Sequence, residues 1–301
     1  MNDARFIFLG TGTSGGIPII ACDCTTCRSD DPRDTRTRSG AFVQWTDPTG
    51  QERVVLLDAT PDLRMQALRH ELWRCDAILF THNHVDHIFG LDEVRRFCAV
   101  MGRERGVGPI PIDIYGEEYV IDSLKRVYKH IFDRQNNVND SFVASLIPYV
   151  IPTPPEGTHA FPIVLHGMRF TPIRLLHGRL PIFGFRIEPA SGEAAPPFPL
   201  AYCTDVSGIP PESWTLFEGL DTLVLDGLRH RKHPTHFNLT KAASVALQID
   251  ARQTWLTHLA HEVLHARDEP DMPEGVNFAY DGLALSGTGA GLDERIGSAK
   301  A

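Results

Sequence analysis

Thr81-His82-Asn83-His84-Val85-Asp86-His87 follows directly on the apolar run 77–80, and its reading decides the fold. An extended chain points residues two apart to the same side, so His82 and His84 can grip one ion together. If the chain then turns, Asp86 and His87 can face a second ion a few ångströms away. Three imidazoles and one carboxylate at the end of an apolar strand do not suit core packing. The plain alternative is a histidine-rich solvated loop.

The whole chain has 301 residues, 42% of them hydrophobic and 22% charged, which fits a globular enzyme and excludes disorder. A formal charge of −9 argues against a general nucleic-acid binder. No stretch approaches the roughly 20 apolar residues of a membrane-spanning helix. The start, Met1-Asn2-Asp3-Ala4-Arg5, has no basic leader, so a cytoplasmic location is expected.

Cys75, Cys98 and Cys203 lie alone in apolar surroundings and read as small buried hydrophobes. Cys22, Cys24 and Cys27 form a tight C-x-C-x-x-C. A structural zinc held by these thiols needs a fourth donor from elsewhere, a histidine by preference; a redox or incidental cluster is the alternative.

Apolar runs bounded by Gly, Pro or Asp predict strands at 5–9, 41–45, 53–57, 77–80, 112–115, 168–175, 183–187, 200–203, 222–225, 254–256 and 277–280. Helical spacing predicts helices over 61–70, 117–132 and 239–249, with Thr60 and Asn238 as caps. This mixed order predicts an α/β (α+β) layered sandwich in a single domain spanning 1–301. Residues 102–156 are expected to be a lid, a rim or extra packing. The Pro-rich stretches 148–155 and 196–199 read as surface connections, and 286–301 as a tail.

H-x-H-x-D-H at a strand end resembles the signature of the metallo-β-lactamase superfamily, which implies a four-layer αββα sandwich holding one or two metal ions. The other motifs of that family are matched in order. Leu56-Leu57-Asp58 corresponds to the first, whose Asp orients ligands from behind. Leu175-Leu176-His177 corresponds to the last ligand of the first metal, and Tyr202-Cys203-Thr204-Asp205 to the Asp that bridges both. Leu256-Thr257-His258 corresponds to the final ligand of the second metal. The resemblance spans residues 5 to about 285.

Two features resemble the PhnP-type branch, phosphodiesterases that open phosphoribosyl cyclic phosphates: the glycine-rich stretch 10–16 and the three cysteines. The branch implies that His261, three residues after His258, completes a zinc site with Cys22, Cys24 and Cys27. It also implies that His236, just before a helix, is the general acid. His82, His84, His177 and Asp205 would then hold one metal, and Asp86, His87, Asp205 and His258 the other. Manganese is what the branch suggests for the pair, although histidine and carboxylate also suit zinc and iron.

The chemistry so implied is attack of hydroxide on the phosphorus of a small cyclic phosphodiester, with His236 protonating the departing oxygen. Substrate-binding residues are left open. His230 and His233, with Arg229, Arg231 and Lys232, and also Arg36 and Arg38, either hold phosphate or form solvated loops. A small-molecule substrate, no nucleic acid, no membrane and a homodimer are the expected partners. Three other functions share the motif: a tRNA 3′-processing nuclease, a thioester hydrolase and a non-catalytic metal sensor. The acidic balance opposes the first, the cysteine cluster and His236 the second, and the intact ligand set the third.

Overall fold

Alternation within the strands separates the layers. In β1 (Arg5–Gly10), Phe6 and Phe8 face one side and Ile7 and Leu9 the other, and all four are buried. The same split recurs in β2 (Gly40–Thr46) and β3 (Glu52–Leu57), so each strand feeds two cores. The computed structural model describes residues 3–133, 142–155, 157–193 and 195–297.

After β3 come α1 (Leu63–Arg69), β4 (Ala77–Leu79), α2 (Val85–Ile88) and α3 (Arg95–Glu104). Next are β5 (Ile112–Glu117), α4 (Glu118–Val127), α5 (Lys129–Phe132) and β6 (Leu146–Ile151). A meander of β7 (Ile163–Leu165), β8 (Met168–His177), β9 (Leu180–Pro189) and β10 (Leu200–Cys203) leads to β11 (Thr222–Asp226). Then follow α6 (Leu239–Ile249), β12 (Gln253–Thr257), α7 (His265–Asp268) and β13 (Val276–Phe278). The chain returns as β14 (Leu283–Ser286) and β15 (Gly289–Leu292).

One sheet has the order β15-β14-β1-β2-β3-β4-β5-β6, and the other β13-β12-β11-β10-β9-β8-β7. Phe6, Phe8, Val55 and Leu57 of the first meet Phe170, Phe185, Tyr202 and Val224 of the second in a central core. On its other face the first sheet packs on α1, α3 and α4 through Leu63, Phe97, Val120 and Leu124. The second sheet packs on α6 through Leu239, Ala242, Val245 and Ala246. Helix, sheet, sheet and helix make the αββα sandwich that the family resemblance implied.

Helix α6 begins as its sequence directs: Asn238 accepts the Lys241 N–H at 3.1 Å. Helix α1 starts two residues later than expected. The Thr60 hydroxyl accepts the Asp62 N–H at 3.1 Å, and the helix follows from Leu63.

Two expectations give way, and of the three alternatives for 102–156 packing is the one that holds. Residues 102–156 supply β5, β6, α4 and α5, so they complete the first sheet and one helical layer. Strand β6 runs through Pro148 in the stretch read as a connection; an edge strand tolerates a residue with no N–H to donate. The stretch read as a tail carries β15, paired antiparallel with β14, and the Asp293 carboxylate reaches the His70 Nδ1 at 2.9 Å. Residues 298–301, 134–141 and 156 lie outside the described residues.

Candidate functional site

The polar residues singled out by the motifs all lie where strands end. Asp58 follows β3, the stretch 82–87 follows β4, His177 ends β8, Asp205 follows β10 and His258 follows β12. Asp58, Asp205 and His258 each adopt a left-handed backbone, at φ 65°, 60° and 59°. That conformation is unfavourable for side chains with a Cβ and persists where the surroundings enforce it, commonly at functional sites.

The folded chain brings these donors together. His82, His84 and His177 form one group whose candidate donor atoms lie within 4.8 Å of one another; His82, His87 and Asp205 form a second, and Asp86, His87 and His258 a third. Asp205 lies between them: its carboxylate oxygens are 3.2 Å from the His87 Nε2 and 3.4 Å from the His258 Nε2. Both rings also look toward Asp86, at 3.3 Å and 3.9 Å.

Behind the cage, second partners hold the rings. The Asp58 Oδ2 accepts from the His87 Nδ1 at 2.7 Å, and the same carboxylate takes the Thr81 N–H and hydroxyl. The His177 Nδ1 donates to the Thr235 carbonyl at 2.7 Å. With Nδ1 so engaged, Nε2 of His87 and His177 carries the lone pair that a metal needs.

Burial tests whether a cation fits. The Nε2 atoms of His82, His87 and His258 are buried and make no hydrogen bond among the described residues. Orphaned polar atoms are costly in a protein interior. Here three converge beside two buried carboxylates, the arrangement expected around divalent cations. Charge tells the same story. Burial opposes a charged His258, yet Asp205 and Asp86 raise it to about 9. Burial opposes an ionised Asp205, yet His258 and His87 hold its carboxyl well below the usual range.

His236 closes the group. Its ring stacks on His258 at 4.8 Å between centroids and lies 4.6 Å from His177. Its Nδ1 sits 2.8 Å from the Oδ2 of Asp226, a fully buried carboxylate that also accepts the Val206 N–H. Burial lowers His236 to about 4 and pushes Asp226 up, so the interior favours an uncharged pair. The sequence reading missed Asp226. Its signal was present, since Leu223-Val224-Leu225-Asp226 repeats the pattern of an apolar run ending in Asp shown by Leu56-Leu57-Asp58. The cage opens to a cleft of 380 Å³ lined by Ser14, Asn83, His84, Val85, Asp86, His177, Asp205, His236 and His258.

The second cluster lies on the same loop. The His261 Nδ1 is 3.2, 3.4 and 3.9 Å from the sulfurs of Cys22, Cys24 and Cys27. Tetrahedral zinc with ordinary bond lengths spaces sulfur and nitrogen about 3.6 Å apart, so the four side chains fit it. A buried arginine ties this loop down. Arg36, with its side chain fully enclosed, pairs with Asp34 at 2.9 Å and donates to the Val263 carbonyl at 2.9 Å.

Several residues read as either phosphate holders or solvated loops are engaged in ion pairs and hydrogen bonds. Arg36 is structural, as just described, and Arg38 pairs with Asp62 at 2.8 Å while its Nε donates to the Ser14 carbonyl. Arg229 and Arg231 both face Glu262, and His230 faces Asp268 at 3.1 Å. The glycines of 10–16 serve close packing: a Cβ on Gly10 would stand 2.1 Å from the Arg38 carbonyl oxygen, and one on Gly12 2.8 Å from that of Arg36. The N–H groups of Gly12, Thr13 and Gly16 are spent on Thr37, Leu259 and Thr13 carbonyls, which argues against a phosphate cradle.

An αββα sandwich with histidine and aspartate donors gathered at its strand ends defines a metal-dependent hydrolase. The family described as "Beta-lactamase superfamily domain" matches residues 53–259, and the chain belongs to this metallo-β-lactamase superfamily. Within it the chain is PhnP-like. It is 37% identical, with a TM-score of 0.79, to a crystal structure of a new diphosphatase from the PhnP family, covering 94% of this chain and 97% of that one. It is also 34% identical over 281 residues to an octanoyltransferase of Porphyromonas gingivalis. That match covers 93% of this chain but spans only about half, 51%, of the relative's length. The zinc-bound PqqB of Methylobacterium extorquens shares the fold, with a TM-score of 0.68 at 19% identity over 94% of this chain and 99% of that one. The fold implies divalent metals. No described helix is long and apolar enough to cross a membrane.

Proposed function

We propose that this chain hydrolyses a small phosphodiester, of the phosphoribosyl 1,2-cyclic phosphate kind. The observation that carries the reading is the His236–Asp226 pair, set beside the donor cage on one small cleft. His82, His84 and His177 would hold one divalent cation and Asp86, His87 and His258 the other, with Asp205 shared between them. Manganese or zinc suits these donors, and zinc suits Cys22, Cys24, Cys27 and His261. When bound, the paired cations supply Lewis acidity and a nucleophilic water at neutral pH.

The rest of the chemistry falls to the side chains. In the uncharged pair His236 gives the proton on Nε2 to the departing oxygen, while the Asp226 proton passes to Nδ1 and leaves the carboxylate bonded to a neutral ring. Asp58 keeps His87 in one orientation, and the Thr235 carbonyl does the same for His177. The ring of His236 cannot swing away, because it is stacked on His258 and bonded to Asp226. The 380 Å³ cleft and the charge of −9 favour a small molecule over a nucleic acid. Cys22, Cys24 and Cys27, as thiolate donors to zinc, suit a reducing, cytoplasmic setting.

A second reading, cleavage of a diphosphate diester, is favoured by the 37% identical PhnP-family diphosphatase. Both substrates present phosphorus carrying two bridging oxygens, so the same residues serve either. The test is a panel assayed with Mn²⁺ or Zn²⁺: a ribose 1,2-cyclic phosphate, a nucleoside 2′,3′-cyclic phosphate, an unsymmetrical diphosphate diester, pre-tRNA and an acyl thioester. Turnover of the cyclic phosphate is expected, and preference for the diphosphate would select the second reading. Activity confined to pre-tRNA or the thioester, or none with metals bound, would overturn both.

A further inference from the structure

Asn83 stands between His82 and His84 in the decisive motif and lines the cleft, but it is no metal donor in the scheme above. Its amide is held from behind by α4. The Ser123 Oγ donates its one proton to the Tyr119 carbonyl at 2.8 Å, a bond within the helix. Toward Asn83 the Ser123 oxygen can therefore only accept, and it does so from Nδ2 at 2.9 Å. That settles which end of the amide is nitrogen, an assignment otherwise ambiguous. Helix α4 is itself moored to β9, through the Tyr119 hydroxyl on the Pro181 carbonyl at 3.0 Å. The Asn83 Oδ1 is thus a fixed acceptor on the side away from Ser123.

We infer that Asn83 is a specificity-determining residue that accepts a hydrogen bond from a hydroxyl on the alcohol portion of the substrate. The inference rests on the phosphodiesterase reading of the cleft. Phosphoryl oxygens are acceptors without protons at neutral pH, so they would repel Oδ1, and the imidazoles of the cage, with the cations they would hold, suit them instead. A sugar hydroxyl is the complementary donor. An unfilled Oδ1 is penalised, so a substrate without the hydroxyl is selected against.

The test compares kcat/KM for the p-nitrophenyl ester of uridine 5′-monophosphate with that for its 2′,3′-dideoxy counterpart. The native protein should prefer the hydroxyl-bearing ester, and Asn83→Leu should shrink that preference about tenfold. Ser123→Ala, which only frees the amide to rotate, should move the ratio the same way by less, and it serves if Asn83→Leu fails to fold. Elemental analysis of each variant reports whether His82 and His84 still hold metal. An unchanged ratio at normal metal content, or an equal fall on both esters, overturns the inference while the phosphodiesterase reading stands. If the metal-loaded native protein cleaves neither ester but opens the ribose cyclic phosphate, the inference falls and the phosphodiesterase reading stands; if it cleaves none of them, both fall together.

Discussion

The imidazole–carboxylate cage and the thiolate cluster share the stretch 258–261, yet they are built in opposite ways. The cage draws its donors from four distant segments, 82–87, 177, 205 and 258, and has carboxylates and a carbonyl behind them. It faces a cleft. The cluster takes three sulfurs from six consecutive residues and closes on one imidazole, with all four side chains half-buried. Four protein donors fill a tetrahedron, whereas donors around a cleft leave room for substrate. One arrangement suits chemistry and the other suits holding a loop. Backbone bonds tie their shared stretch to the N-terminal loop: Leu259, between the two histidines, donates to the Thr11 carbonyl at 2.9 Å and accepts from the Thr13 N–H at 3.2 Å.

This contrast breaks first at Asp205. Asp205→Ala removes the carboxylate shared by both halves of the cage, and turnover should fall by at least about a thousandfold. Near-normal steady-state rates would contradict a shared role. His236→Ala should cost about a hundredfold or more on substrates with poor leaving groups and far less on a p-nitrophenyl ester, whose phenolate departs unaided. Equal losses on both would make His236 a binding residue.

Asp226→Asn should cost less, about ten- to a hundredfold. With no Asp226 proton to relay, His236 can act as an acid only as the imidazolium, a form that burial holds to low pH. The alkaline limb of the pH–rate profile should then move to lower pH, and a shift upward would refute the pairing. Cys24→Ser belongs to the other region. It should lower Tm by about 5–10 °C and release zinc, with the cage donors still in place. A variant that keeps its Tm but loses turnover would reverse the roles of the two regions.

Much of the cage was legible in the sequence because a polar residue at the end of an apolar strand has few structural uses. The stretch 82–87 stands at such an end and was read directly, whereas His177, Asp205 and His258 were nominated through family resemblance, and the structure gathers them all. The cysteine triplet was equally plain, although its fourth donor was nominated only through family resemblance. What stayed hidden depends on contacts far apart in the chain. Arg36 read as either a phosphate holder or part of a solvated loop, and its burial against Asp34, Ala260 and Val263 has no local signal. Strand β6 was obscured by Pro148, a residue acceptable at an edge and not in the middle of a sheet. Asp226 carried the right local pattern, but only the fold puts it against His236.

The central claim is that the cage and the cluster both hold metal, with different occupants. Anomalous diffraction from crystals of the native protein, recorded at the manganese, iron and zinc edges, tests it most directly. The account predicts two peaks within the cage formed by His82, His84, Asp86, His87, His177, Asp205 and His258, and one zinc peak amid Cys22, Cys24, Cys27 and His261. Metal-free density at the cage, with its imidazoles turned apart, would contradict it.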